Sequence, residues 1–174
     1  AVTERDAQVG TLDIWIHEGA QPVPLRLSRS TDVDEGPVWS PEGTRLAWTS
    51  ARRAITIRGA GAVLDEQVVA TLEPPVQVWD WSRDGAWLIV GRTGRGSADD
   101  VWLVPASGIG EPRAYVRSPF SEIQGALSPD GGHMAYASNE SGQFEIYVDS
   151  FPEPGTRIRV TTAGGVEPRW RGDG

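Results

Sequence analysis

The side chains in this sequence best placed to do chemistry are carboxylates. Asp34, Glu35, Asp80, Glu122 and Glu167 stand just ahead of, or within, short apolar runs spaced along the chain. Two such groups facing each other about 5–9 Å apart across a cleft could act as acid and base in a hydrolysis. Singly, the same groups would cap turns, pair with Arg113 or Arg169, or solvate the mouth of a fold. Other chemistries find less support. His17 and His133 are the two imidazoles, and neither has a metal-binding neighbour at ligand spacing, so both read as surface turn residues. Asp32-Val33-Asp34-Glu35-Gly36 is acidic but lacks the third oxygen position and the distal Glu of an EF-type calcium loop. Gly59-Ala60-Gly61 and Gly94-Arg95-Gly96 do not lead from a strand into a helix with phosphate-loop spacing, so they read as hairpin tips. Gly-x-Ser-x-Gly is absent and so is Cys, which removes the serine-elbow and thiolate nucleophiles. No metal and no cofactor is expected, and the chain reads as non-enzymatic.

Composition narrows the class further. The 174 residues carry 16 basic and 24 acidic side chains, a net charge of −8, and every basic residue is Arg. An acidic chain repels phosphates, so the electrostatic footprint of a nucleic-acid binder is missing. No apolar run approaches the roughly 18 residues that a helical membrane span needs. With 39% apolar and 23% charged residues the sequence is that of a folded globular protein. Its 21 Gly and 13 Pro favour short elements joined by tight turns. The chain begins at Ala1 without a leader, which suggests a processed protein or a piece of a longer one.

The elements that must position the carboxylates are repeats. Trp39-Ser40-Pro41-Glu42-Gly43, Trp81-Ser82-Arg83-Asp84-Gly85, Leu127-Ser128-Pro129-Asp130-Gly131 and Trp170-Arg171-Gly172-Asp173-Gly174 superimpose with a period near 43 residues. This alignment also makes the Arg171-Gly172-Asp173 tripeptide a turn rather than an integrin ligand. In the same way Asn139-Glu140-Ser141, formally a glycosylation acceptor, falls on a strand-to-strand turn. Alternating apolar runs follow each of the first three turns, so each unit reads as four short antiparallel strands. Pro presets φ at the second position of such a turn, and Gly takes the positive φ that closes it. One four-stranded meander cannot bury both faces. Stacking the sheets around an axis does, which predicts an all-β chain of β-propeller blades with about four blade equivalents. Trp39, Trp48, Trp81 and Trp87 are expected between neighbouring sheets. The units fall at residues 1–33 (a partial blade holding the second to fourth strands), 34–75, 76–121 and 122–164. Residues 165–174 then supply the first strand of the split blade.

These units resemble the TolB-type, WD-like β-propeller repeat. The stretch from Phe120 onward (Phe120-Ser121-Glu122-Ile123-Gln124-Gly125-Ala126-Leu127-Ser128-Pro129-Asp130-Gly131, then Glu145-Ile146-Tyr147-Val148 and Gly164-Gly165-Val166-Glu167-Pro168-Arg169-Trp170) resembles the propeller found C-terminal to many bacterial receptor-like serine/threonine kinases. Two departures stand out: Leu127 replaces the usual Trp, and Arg171-Gly172 replaces Ser-Pro in the last turn. The resemblance implies a bacterial, extracytoplasmic or periplasmic setting and a sensory or scaffolding role. Similar blades gate prolyl-oligopeptidase-type peptidases, but the hydrolase domain of those enzymes has no counterpart here. Propellers of this type usually have six or more blades. Four equivalents therefore imply a fragment, a small closed ring or two chains sharing a ring.

The leading functional expectation is a non-catalytic module that binds a protein or a small molecule at its central mouth, through Asp34, Glu35, Asp80, Glu122 and Glu167. The alternative is a small propeller hydrolase using two of those carboxylates. The incomplete blade at residues 1–33 and the lone first strand at 166–170 each leave a sheet edge open to pairing. Exchange of that strand between two chains would close one eight-bladed ring, so a homodimer is expected.

Overall fold

The computed structural model describes residues 1–6, 10–19, 23–61, 66–93 and 98–173. Among them, fifteen strands form four antiparallel sheets and there is no helix. The first sheet has three strands, β1 (Val2–Arg5), β2 (Leu12–Ile16) and β3 (Leu25–Arg26). Four strands build the second: β4 (Asp34–Trp39), β5 (Arg45–Ser50), β6 (Ala54–Gly59) and β7 (Gln67–Thr71). The third consists of β8 (Val76–Trp81), β9 (Trp87–Thr93), β10 (Asp99–Pro105) and β11 (Arg113–Val116). The fourth consists of β12 (Glu122–Leu127), β13 (His133–Ser138), β14 (Glu145–Ser150) and β15 (Ile158–Arg159). Strands pair in sequence order within every sheet, the meander expected of a propeller blade.

The repeated turn has a common chemistry. Ser82 Oγ donates to Asp84 Oδ1 at 2.6 Å and accepts from the Trp87 amide at 2.8 Å. Ser128 repeats this with Asp130 at 2.5 Å and the His133 amide at 2.9 Å. Gly43, Gly85 and Gly131 close the three turns with φ of 72°, 73° and 75°, where a side chain would be strained. The hydroxyl and carboxylate thus satisfy turn amides that no ladder reaches.

Alternation then sends successive side chains to opposite faces, and the sheets stack through them. Ile14, Ile16 and Leu27 of the first sheet meet Leu46 and Trp48 of the second. The other face of the second sheet, with Ala47, Ile55 and Ile57, packs on Val76, Val78, Trp81, Leu88 and Val90 of the third. Ile89, Val101 and Leu103 in turn cover Met134, Tyr136 and Tyr147 of the fourth. Trp48 and Trp81 fill sheet interfaces as expected, at 1% and 5% exposure. Trp39 does not: it is 38% exposed, because it ends β4 at the turn beyond the core.

The four sheets form an arc whose first and last members share no core cluster among the described residues. Residues 166–170, expected as the first strand of the split blade, form no ladder within the single chain. The strand they would pair with, β1, lies at the far end of the arc. They lie instead beside β12, with the Trp170 indole N–H donating to the Ala126 carbonyl at 3.0 Å.

Candidate functional site

The first strands of the second, third and fourth sheets, β4, β8 and β12, line the axis, and each carries a register shift. The shifts fall between Glu35 and Val38, Val78 and Asp80, and Ile123 and Ala126. Such bulges re-aim side chains. Gly36 and Gln124 stand at equivalent places, four residues before Ser40 and Ser128, with φ of 68° and 60°. Glu167 occupies the same place before Arg171, with φ of 54°. Positive φ suits Gly, so two long polar residues held there are strained positions of the kind that cluster at ligand clamps. The Glu167 amide donates to Gln124 Oε1 at 2.8 Å, which ties the two together.

Two cavities run along these strands. One, of about 600 Å³, is lined by Glu35, Arg52, Gln77, Trp79, Arg92 and Gln124 among others. The next, of about 520 Å³, is lined by Gln77, Trp79, Asp80, Gln124, Glu167 and Trp170 among others. Gln77, Trp79 and Gln124 belong to both, so the two form one groove. Both volumes fall in the range of small-molecule sites. A hollow of about 700 Å³ also opens among the turns, but its charged groups are already engaged. Glu42 pairs with Arg45 at 2.8 Å, Arg45 lies over the Trp81 ring at 5.0 Å, and Arg83 donates to the Pro129 carbonyl.

The structure separates the five predicted carboxylates into two groups. Glu35, Asp80 and Glu167 line the groove. Glu35 is paired with Arg52 at 3.3 Å, and Glu167 is exposed. Asp80 accepts the Trp81 and Leu127 amides, at 2.8 and 2.7 Å, and so braces the third sheet against the fourth. Burial holds the Asp80 carboxyl above the usual carboxylate range, although those two amides and Arg169 pull it down. Asp34 and Glu122 lie outside the groove, 1% and 0% exposed. Each opens its first strand and accepts from a Ser four residues back, Asp34 from Ser30 at 2.9 Å and Glu122 from Ser118 at 2.6 Å. Glu122 also sits above its usual range, chiefly through burial, and Asp100 pushes it further up.

Gln77, Trp79, Gln124, Arg52 and Arg92 escaped the sequence reading. Gln124 carried a usable signal, since it aligns with Gly36 in the repeat and so inherits a positive-φ position. Trp79 was legible only as another first-strand aromatic. His17 contacts Glu4 at 2.8 Å between β1 and the turn after β2, and Arg171 contacts Asp173 at 3.2 Å. The Gly94-Arg95-Gly96 tip lies outside the described residues. Among the described residues no three His, Asp or Glu side chains gather as a metal site.

No protein-family model matches the chain. A curated Protein TolB homolog from Chlorobium luteolum is 27% identical over 126 residues, 71% of this chain and 28% of the relative. The crystal structure of TolB from Acinetobacter baumannii superposes with a TM-score of 0.72 at 19% identity, over 89% of this chain and 39% of that one. A putative TolB from Agrobacterium tumefaciens gives 0.65 at 23% identity, over 83% and 51%. The fold is that of TolB-type propeller blades. The chain spans about two fifths to one half of the length of these solved structures. The relatives named here are bacterial TolB proteins, and none of them is a kinase-linked propeller.

Proposed function

We propose that this chain is a non-catalytic binding module, whose axial groove holds a protein segment or a small molecule in a sensory or scaffolding role. The observation that carries the reading is the convergence of Gln77, Trp79 and Gln124, from two different sheets, on the wall shared by both cavities. Strained Gln124 and Glu167 support it, because strain persists where surrounding structure holds a geometry for use. The resemblance of the C-terminal units to kinase-linked propellers favours a place within a larger bacterial protein, outside the cytoplasm. A thermal-shift screen of soluble metabolites and peptides, run on the natural chain and on the Gln77→Ala/Gln124→Ala pair, tests it. Shifts lost in the pair support the groove; shifts that survive it place binding elsewhere and overturn the reading.

One observation favours a hydrolase as the second reading: Asp80, with its raised pKa, and Glu167 line the same cavity. Against it, both Asp80 oxygens already hold backbone amides. Turnover of chromogenic glycosides or esters that disappears in both Asp80→Asn and Glu167→Gln would favour this reading over the first.

A second copy is the proposed partner of the arc. The outer face of the first sheet carries Val2 and Trp15, which occupy the places that Tyr136 and Tyr147 hold in the fourth sheet. In the fourth sheet that face is packed against the sheet before it. Light scattering over a tenfold concentration range decides this: a species of twice the monomer mass supports the shared ring, and a strict monomer rejects it.

A further inference from the structure

We infer that the groove takes a neutral saccharide, with Trp79 as its platform and Gln77 and Gln124 as its hydrogen-bonding arms; the inference rests on the binding-module reading above. The polar groups on the shared wall are uncommitted and uncharged. Among the described residues the Gln77 amide makes no hydrogen bond, and neither does the Trp79 indole N–H. Gln124 accepts the Glu167 amide through Oε1, which leaves its NH₂ group with two free hydrogens. A side-chain amide offers a donor and an acceptor side by side, the pattern that neighbouring hydroxyls on a sugar ring complete.

Most charged groups around this wall are occupied, although Glu167 and Arg169, which line the smaller cavity, make no ion pair among the described residues. Arg52 holds Glu35, Thr93 Oγ1 donates to Asp99 Oδ1 at 2.6 Å, and the Arg92 guanidinium lies 4.8 Å over the Trp102 ring. In the larger cavity a charged ligand would have to compete with the Arg52–Glu35 and Thr93–Asp99 contacts, whereas a neutral polyol would not. Among the described residues the Glu167 carboxylate, exposed at the rim, makes no side-chain hydrogen bond and can accept from hydroxyls, and Arg169 on the same cavity can donate to them.

Trp79 is held as a platform by a residue on the neighbouring strand, β9. A Cβ at Gly91 would lie 2.0 Å from Trp79 Cζ2, so the indole rests against that backbone only because residue 91 is Gly. An aromatic ring fixed in this way presents apolar surface to the C–H face of a pyranose at little entropic cost, and its N–H remains a donor. Gln124 is likewise pre-positioned, by its backbone conformation and by the Glu167 bond.

Saturation-transfer NMR with cellotetraose, chitotetraose and maltotetraose on the whole chain tests this. At least one of the three is expected to receive saturation, with Trp79→Ala abolishing the transfer and Trp79→Phe keeping it. Gln77→Ala, on an exposed side chain without partners, leaves the fold intact and should weaken the affinity at least about fivefold. Absence of transfer to all three sugars overturns the saccharide, as does transfer that Gln77→Ala and Trp79→Ala leave unchanged. A displayed heptapeptide library separates the two readings. Peptide binding lost in Gln77→Ala, without sugar binding, rejects the saccharide and keeps the groove. Failure of both probes rejects both.

Discussion

The second and fourth sheets present one and the same repeat face to different surroundings. In the second, Ala47, Ile55 and Ile57 are sealed beneath Val76, Val78, Trp81 and Leu88 of the next sheet. In the fourth, alternation places Ala135, Ile146 and Val148 on the corresponding face, where no sheet follows. The irregular segment after β15 lies there instead. The Ile146 amide donates to Thr161 Oγ1 at 2.9 Å, the Gly165 amide donates to the Phe144 carbonyl at 2.8 Å, and Gly165 is packed so closely that a Cβ would come within 2.9 Å of Ile146 Cγ1. Ile55 is fully buried while Ile146 is half-buried. The same pattern of residues therefore makes a core in one place and a partly open surface in the other. What differs is the neighbour, and the neighbour sets how much apolar area leaves water.

The sharpest way to break this comparison is truncation. Leu88→Ala, inside the sealed interface, should cost about 3 kcal/mol in urea unfolding, through lost burial and the cavity left behind. Ile146→Ala on the fourth sheet should cost less than about 1.5 kcal/mol by the same measurement, because part of its area is already wet. Equal losses, with the Ile146 effect growing at high protein concentration, would mean that a second copy covers that face in solution.

Overpacking comes next. Gly91→Ala must displace the Trp79 ring, which should destabilise the chain by about 2 kcal/mol and change its near-ultraviolet circular dichroism. The equivalent insertion at Gly59, which has open space around it, should leave both readouts nearly unchanged.

A smaller, pH-dependent effect lies in the first strand of the fourth sheet. Because burial raises the Glu122 pKa, the native chain holds that proton more tightly than the unfolded chain does. Its contribution to stability is therefore present in acid and is lost as pH rises through the raised value. Glu122→Gln removes this loss, so the variant should gain on the natural chain in urea midpoint between pH 4 and pH 8.

The smallest effect lies in the turns. Glu42 is lowered to about 2, first by its hydrogen bond from Arg45, whereas its counterpart Asp130 is lowered first by the Ser128 hydroxyl. The Glu42 contribution is present above the ordinary carboxylate range and is lost as pH falls towards 2. Since the pair is exposed, Glu42→Gln should cost under about 1 kcal/mol at pH 7, and added salt should shrink the cost further.

Much of this architecture was legible from spacing. The Ser-x-Asp-Gly turns, the alternating runs after them and the partial unit at residues 1–33 each map onto an observed strand or turn, because turn chemistry and period-2 burial are local properties. The reading of the site was less complete for a physical reason. Asp34 and Glu35 are adjacent, yet alternation buries one against Ser30 and turns the other into the groove beside Arg52. Glu122 and Glu167 are both acids near the start of a repeat. One is buried on Ser118 and Ser138, and the other is exposed at the rim.

Local periodicity was enough to specify antiparallel units of short strands and their turns, since each depends on residues a few positions apart. Three features depended on the tertiary structure. These are which end face stays open, which carboxylates reach the axis, and the meeting of Gln77, Trp79 and Gln124 on one wall. Each depends on how one sheet packs beside the next and on where a bulge re-aims a strand, and both bring together residues from different repeats.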